Sequence, residues 1–112
     1  IMKFKNNYLI GSIIFALFIF PISVKAKENE VGRKLFNLNC IACHKNGQNV
    51  IIPEKNLKRE ALEENGMDNL DSIIYQILNG KNGMPAFGGR LNDQEIEQIA
   101  KYVLKQSTET QN

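Results

Sequence analysis

The stretch NLNCIACHKNG, residues 37–47, holds both cysteines and the only histidine of the chain within five consecutive positions. Four chemistries use a close cysteine pair: a disulfide, a thiol redox switch, a zinc half-site and covalent haem attachment. A disulfide between Cys40 and Cys43 closes almost no chain and so restrains the unfolded state little. Thiol-exchange proteins place the pair at a helix start after a strand, whereas here a helical pattern precedes it. A closed structural zinc site wants four ligands, and Cys40, Cys43 and His44 are the only sulfur or nitrogen ligands of that kind. Zinc would therefore need a carboxylate to complete it. C-x-x-C-H is the attachment pattern of a c-type haem. Two thiols about one helical turn apart reach the two vinyl groups on one porphyrin edge, and His44 then lies under the iron.

Haem iron prefers six ligands, so a second axial residue is needed. Met67 and Met84 are the candidates, Met2 falling in the N-terminal apolar segment. A methionine in a small helical protein usually fills the core. Met67 follows Gly66 at a helix end and reads as packing. Met84 lies in NGMPAFGG, residues 82–89, where Pro85 stiffens the backbone and glycines on both sides allow close approach to a flat ring. Met84 is the expected ligand.

The first 26 residues read as a signal peptide that is removed. Lys3 and Lys5 make a basic start, an apolar run follows from Tyr8 to Ile22, and Val24 and Ala26 have the spacing of a cleavage site. A transmembrane helix is the alternative, of borderline length. Lys3, Lys5 and Lys25 are three of the 14 basic residues and no acid precedes Lys27, so residues 27–112 keep 11 basic and 12 acidic side chains. That balance argues against a nucleic-acid partner, which would want a basic face. About 86 residues remain, few enough that a bulky apolar cofactor would usefully complete the core.

The remainder reads as one small all-α domain. Asn29 to Asn39 fits a helix, with Asn29 as cap and Val31, Leu35 and Leu38 on one face. Gly47 and Pro53 mark a loop from Asn46 to Lys55. Leu57 to Asn65 fits a short helix that Gly66 ends. Leu70, Ile73, Ile74, Ile77 and Leu78 share one face of a third helix, stopped by Gly80. The last helix begins at Asn92, with Glu95 completing a capping box. Its buried face is Ile96, Ile99, Ala100, Val103 and Leu104, and the tail after Gln106 is expected to fray. No strand pattern, repeat or second domain is evident.

Residues 27–112 resemble the class I cytochromes c, and within them the cytochrome c6 family of oxygenic photosynthesis. The likeness is carried by NCIACHKNGQN (39–49), IIPEKNLK (51–58) and YQILNGKNGMPAFGGRL (75–91). It implies about four helices around one haem c, the first and last crossing at Gly32, Phe36 and Tyr102. By the same resemblance Cys40 and Cys43 bind the haem covalently, while His44 and Met84 ligate its iron. Pro53 offers its carbonyl to the other His44 nitrogen, Gln76 supports a high potential, and Arg90 takes part in partner docking. Ile52 and Glu54 depart from the usual Met and Asp, which leaves the ligands intact.

The function implied is a one-electron carrier, not an enzyme. The donor would be the cytochrome b6-f complex, through cytochrome f, and the acceptor photosystem I. A monomer with no stable membrane anchor after signal cleavage is expected, in the thylakoid lumen of a plastid or cyanobacterium. One rival is a respiratory cytochrome that donates to a terminal oxidase. The other is a haem enzyme or sensor in which Met84 leaves the iron.

Overall fold

The computed structural model describes residues 19–21 and 23–109. Most of the segment read as a signal peptide, residues 1–18 and 22, lies outside them. Five α-helices are found among the described residues: α1 (Val24–Asn39), α2 (Ile41–His44), α3 (Arg59–Glu64), α4 (Leu70–Asn79) and α5 (Asp93–Glu109). Among the described residues two isolated backbone bridges occur, Lys81 with Met84 and Gly88 with Leu91, and no strand. The all-α expectation therefore holds.

Helix α1 begins five residues before the expected cap. Ser23 occupies the N-cap position without a side-chain bond, and Asn29 lies inside the helix. Lys27, Glu28 and Glu30 are ordinary helix formers, and no Gly or Pro interrupts them. The buried face is also rotated by about one residue from the one expected. Gly32 and Phe36 are buried, whereas Val31 and Leu38 are exposed.

The rotation follows from how α1 meets α5. A Cβ on Gly32 would strike the Gln98 carbonyl oxygen and approach the Tyr102 Cβ to 2.9 Å. Hydrogen alone therefore lets the two backbones come together. Phe36 packs on Tyr102 with ring centroids 5.3 Å apart and planes inclined at 53°, a tilted geometry that suits the ring quadrupoles. Gly32, Phe36 and Tyr102 thus sit at the crossing.

The other helices follow their local signals closely. In α3, Met67 N–H donates to Leu62 O (2.7 Å) and Gly66 N–H to Glu63 O (3.2 Å), the two bonds of a Schellman ending with Gly66 at φ +66°. Asn69 caps α4 by accepting from Ser72 N–H. At α5, Asn92 Oδ1 accepts from Glu95 N–H (2.8 Å) and Glu95 Oε1 from Asn92 N–H (3.0 Å), a complete capping box. Ile96, Ile99, Ala100 and Val103 are buried as expected. The tail differs: α5 continues to Glu109, and buried Ser107 donates its hydroxyl to Leu104 O at 2.7 Å.

The crossing makes a direct prediction. Gly32→Ala gains about 1 kcal/mol of helix propensity, yet forces a Cβ against backbone, and overpacking of this kind costs about 1–3 kcal/mol. Net destabilisation is expected as a lower urea midpoint. An unchanged midpoint would mean that α1 and α5 separate without cost.

Candidate functional site

The end of α1, α2, the loop that follows it, α4 and the loop before α5 surround a cavity of about 520 Å³, within the range of small-ligand and cofactor sites. Phe36, Leu57, Ile73, Ile77, Phe87 and Ile99 form its apolar wall. Cys40, Cys43, His44, Gln76, Met84 and Arg90, distant in sequence, all reach this one space, whereas Pro53 does not.

On one side, α2 carries the cysteine–histidine motif. Cys43 and His44 N–H groups both donate to Cys40 O, at 3.2 and 2.9 Å, so the motif is wound into a single turn. His44 Nδ1 lies 2.9 Å from the Gln48 carbonyl oxygen. A carbonyl only accepts, so Nδ1 bears the hydrogen and Nε2 keeps its lone pair for a ligand.

This corrects the expected role of Pro53. The turn Lys45–Gly47 reverses the chain through Asn46 (φ +57°) and Gly47 (φ +74°) and so returns the Gln48 carbonyl to the imidazole. Pro53 instead opens its own turn, Pro53–Lys55, and its carbonyl accepts from Asn56 Nδ2 at 3.0 Å.

Asn49 organises the rest of that loop. Its Oδ1 accepts from Ile51 N–H (3.0 Å) and Ile52 N–H (2.9 Å), and its Nδ2 donates to Lys55 O (2.9 Å). Val50 N–H to Cys43 O (3.1 Å) and Leu57 N–H to Gly47 O (2.7 Å) fasten both ends of the loop. Ile51, Ile52 and Leu57 are thereby placed in the cavity wall.

On the other side, a tight turn presents Met84. Lys81 and Met84 exchange two backbone bonds of 3.0 Å each, and the residues between them, Asn82 (φ +50°) and Gly83 (φ +91°), both have positive φ. That is the signature of a two-residue Asn-Gly hairpin turn. Phe87 N–H to Ile77 O (2.9 Å) and Gly88 N–H to Leu78 O (3.1 Å) then tie the loop to α4. Gln76 Nε2 points at Met84 Sδ, 3.7 Å away. Arg90 is exposed, its guanidinium carbon 4.9 Å from the centre of the Phe87 ring, a cation–π contact. Met67 packs against the core, as expected, and also touches the cavity.

The donor set selects among the four chemistries. Burial pushes the Cys40 thiol up to about 11, so it stays protonated near neutral pH, unlike an exchange thiol with a lowered pKa. Among the described residues no three His, Cys, Asp or Glu side chains gather as a metal site. Two thiols, an imidazole with a free Nε2 and a thioether around an apolar cavity suit a flat, apolar group with a metal at its centre. Sequence reasoning missed Gln48, Asn49 and the turn at Asn82-Gly83. The Asn-Gly pair is a recognised hairpin signal, and Asn49 is a residue type that turns its own backbone. No side-chain signal marks a backbone carbonyl such as that of Gln48.

Comparison with known proteins points the same way. Residues 27–103 match the family described as cytochrome c oxidase, cbb3-type, subunit III. The cytochrome c6 of Bumilleriopsis filiformis is 60% identical over 78 residues, which are 70% of this chain and 91% of that protein. The cytochrome c6 of Porphyra purpurea is 47% identical over 106 residues, 95% of this chain and 96% of the relative. The crystal structure of cytochrome c6 from the diatom Phaeodactylum tricornutum superposes with a TM-score of 0.70 at 52% identity, over 72% of this chain and 95% of the other.

The loop beside His44 has a testable centre. Asn49→Ala removes three hydrogen bonds, of which the one from Ile52 N–H is partly buried and the other two exposed, at about 1–3 kcal/mol for the partly buried group left without a partner. Asn49→Asp keeps the two accepted bonds and is expected to lose less. Urea unfolding of the two variants beside wild type measures the order, and equal losses would remove Asn49 as the organiser.

Proposed function

The chain belongs to the cytochrome c6 family, with a covalently bound haem c and an electron carrier's function, and from that premise we propose how its own residues perform the task. Cys40 and Cys43 would hold the haem through thioethers, and His44 Nε2 and Met84 Sδ would ligate its iron. When bound, the haem supplies one reversible electron through its iron. The observation that carries this assignment is the convergence of these four side chains, from α2 with its N-cap and from the loop before α5, on one apolar cavity.

The protein's part is to hold the ligands still. Gln48 orients the imidazole and fixes its tautomer through Nδ1, as partners of ligating histidines do. The Asn82-Gly83 turn sets the height of Met84. The Gln76 amide, directed at Met84 Sδ, draws electron density from the sulfur and so favours the reduced state. With His44 and Met84 both on the iron, the haem would leave no open site for oxygen or peroxide, which favours an electron carrier over an enzyme.

The donor is the cytochrome b6-f complex, through cytochrome f, and the acceptor is photosystem I. Both meet the monomeric carrier through a small, transient interface. Arg90, Lys81 and Lys55 line the cavity and are exposed, so they offer positive charge to steer acidic partner surfaces. Residues 1–26 direct export and are removed, and residues 27–112 work in the thylakoid lumen. Among the described residues no helix is long and apolar enough to cross a membrane. The respiratory alternative is not favoured, because the relatives matched over nearly the whole chain are cytochromes c6.

Three measurements test the proposal. Reduced protein mixed with photosystem I particles is expected to be oxidised on illumination, and an absence of photo-oxidation would defeat the acceptor assignment. In the Met84→Ala variant the weak long-wavelength band of sulfur bound to ferric iron should vanish. Gln76→Leu should keep that band and lower the potential by about 20–60 mV, the one-electron equivalent of a hydrogen bond worth roughly 0.5–1.5 kcal/mol. An unchanged potential would leave Gln76 without a role at the sulfur.

A further inference from the structure

We infer that Gly80, at the end of α4, is the positioning residue that keeps Met84 on the iron and the haem closed to outside ligands. This rests on the assignment of Met84 as an axial ligand and adds what holds it there.

Two independent constraints meet at Gly80. Its backbone has φ +65° and ψ 173°, a region that essentially only glycine occupies. A Cβ built on it would also lie 2.7 Å from Ala86 N and Pro85 C, and closer still to the Met84 carbonyl oxygen. All three are backbone atoms, so no side chain can swing aside to make room. Relief would have to come from moving the segment Met84–Ala86 as a unit.

That segment has little freedom to move without consequence. Gly80 N–H is bonded to Gln76 O at 2.8 Å, the Lys81–Met84 rungs close the hairpin turn, and Phe87 N–H to Ile77 O fixes its far end. Gln76 also reaches Met84 Sδ from α4. Lifting Met84 away from Gly80 therefore displaces the sulfur from the position that the helix and its glutamine define.

The other glycines separate this role from ordinary strain. Gly66 also ends a helix with positive φ (+66°), but a Cβ there would meet nothing within 4 Å. Gly83 (φ +91°) would meet only the side chain of Ile51, at 3.4 Å. Gly80 alone among these three combines a positive φ with backbone contact to the segment that carries Met84.

The test compares wild-type holoprotein with Gly80→Ala and Gly66→Ala. Wild type and Gly66→Ala should keep the sulfur-to-ferric-iron band and exclude carbon monoxide when reduced. Gly80→Ala should lose the band and bind carbon monoxide at least about tenfold faster, as a lowered barrier to opening requires. If Gly80→Ala keeps the band and stays closed, or if Gly66→Ala opens equally, the inference is overturned. A wild type that itself lacks the band would overturn the ligand assignment instead. If Gly80→Ala yields no holoprotein, hydrogen exchange on wild type decides. The Lys81 and Met84 amides should be protected together with those of Gly80 and Phe87. Exchange of Lys81 and Met84 at the rate of an open loop, while Gly80 stays protected, would refute the role.

Discussion

The fold depends on one apolar interior that serves both as packed core and as the wall of the site. Phe36, Ile73, Ile77, Phe87 and Ile99 belong to a single buried cluster and also line a cavity of about 520 Å³. A domain of this size has little other surface to bury. A haem bound there would add its apolar faces to that core as well as serve as the redox centre, and its binding free energy would then contribute to folding, as in other small proteins built around a cofactor or metal. Helices α1 and α5 close one end where Gly32 lets them touch, and α4 supplies a wall.

The two sides of the cavity are held by different means that reach the same result. Beside His44, one side chain, Asn49, gathers three backbone groups of an irregular loop. Beside Met84, backbone geometry does the work, with two positive-φ residues in a hairpin turn and a glycine beneath it. Neither side relies on exposed ion pairs. The pairs present, such as Arg33–Glu30 and Arg59–Glu63, lie on helix surfaces with side chains about half exposed, where they contribute little. His44 and Met84 are thus each held by turns and hydrogen bonds of their own loops, not by surface charge.

Much of this was legible in the residue order, for identifiable reasons. Helix α5 announced itself through a capping box and an apolar face at regular spacing, and both are local properties. The motif at Cys40, Cys43 and His44 and the loop around Met84 were legible because rare residue types stand at telling distances. What escaped depended on tertiary contact. The buried face of α1 is set by α5 approaching Gly32, so Val31 and Leu38 lie outside it despite their helical spacing. The partner of His44 is a main-chain oxygen returned by a reversal at Asn46 and Gly47. Pro53 matched a family pattern, but the local path of the chain turns its carbonyl to Asn56.

The crossing of the first and last helices also imposes an order on assembly. Gly32 cannot meet Gln98 and Tyr102 until Asp93–Glu109 has been made, and closing so long a loop carries an entropic cost. The last helix also carries Ile99 and Val103 into the cavity that Cys40 and Cys43 line, so one crossing both joins the chain's two ends and completes the wall opposite the cysteine pair.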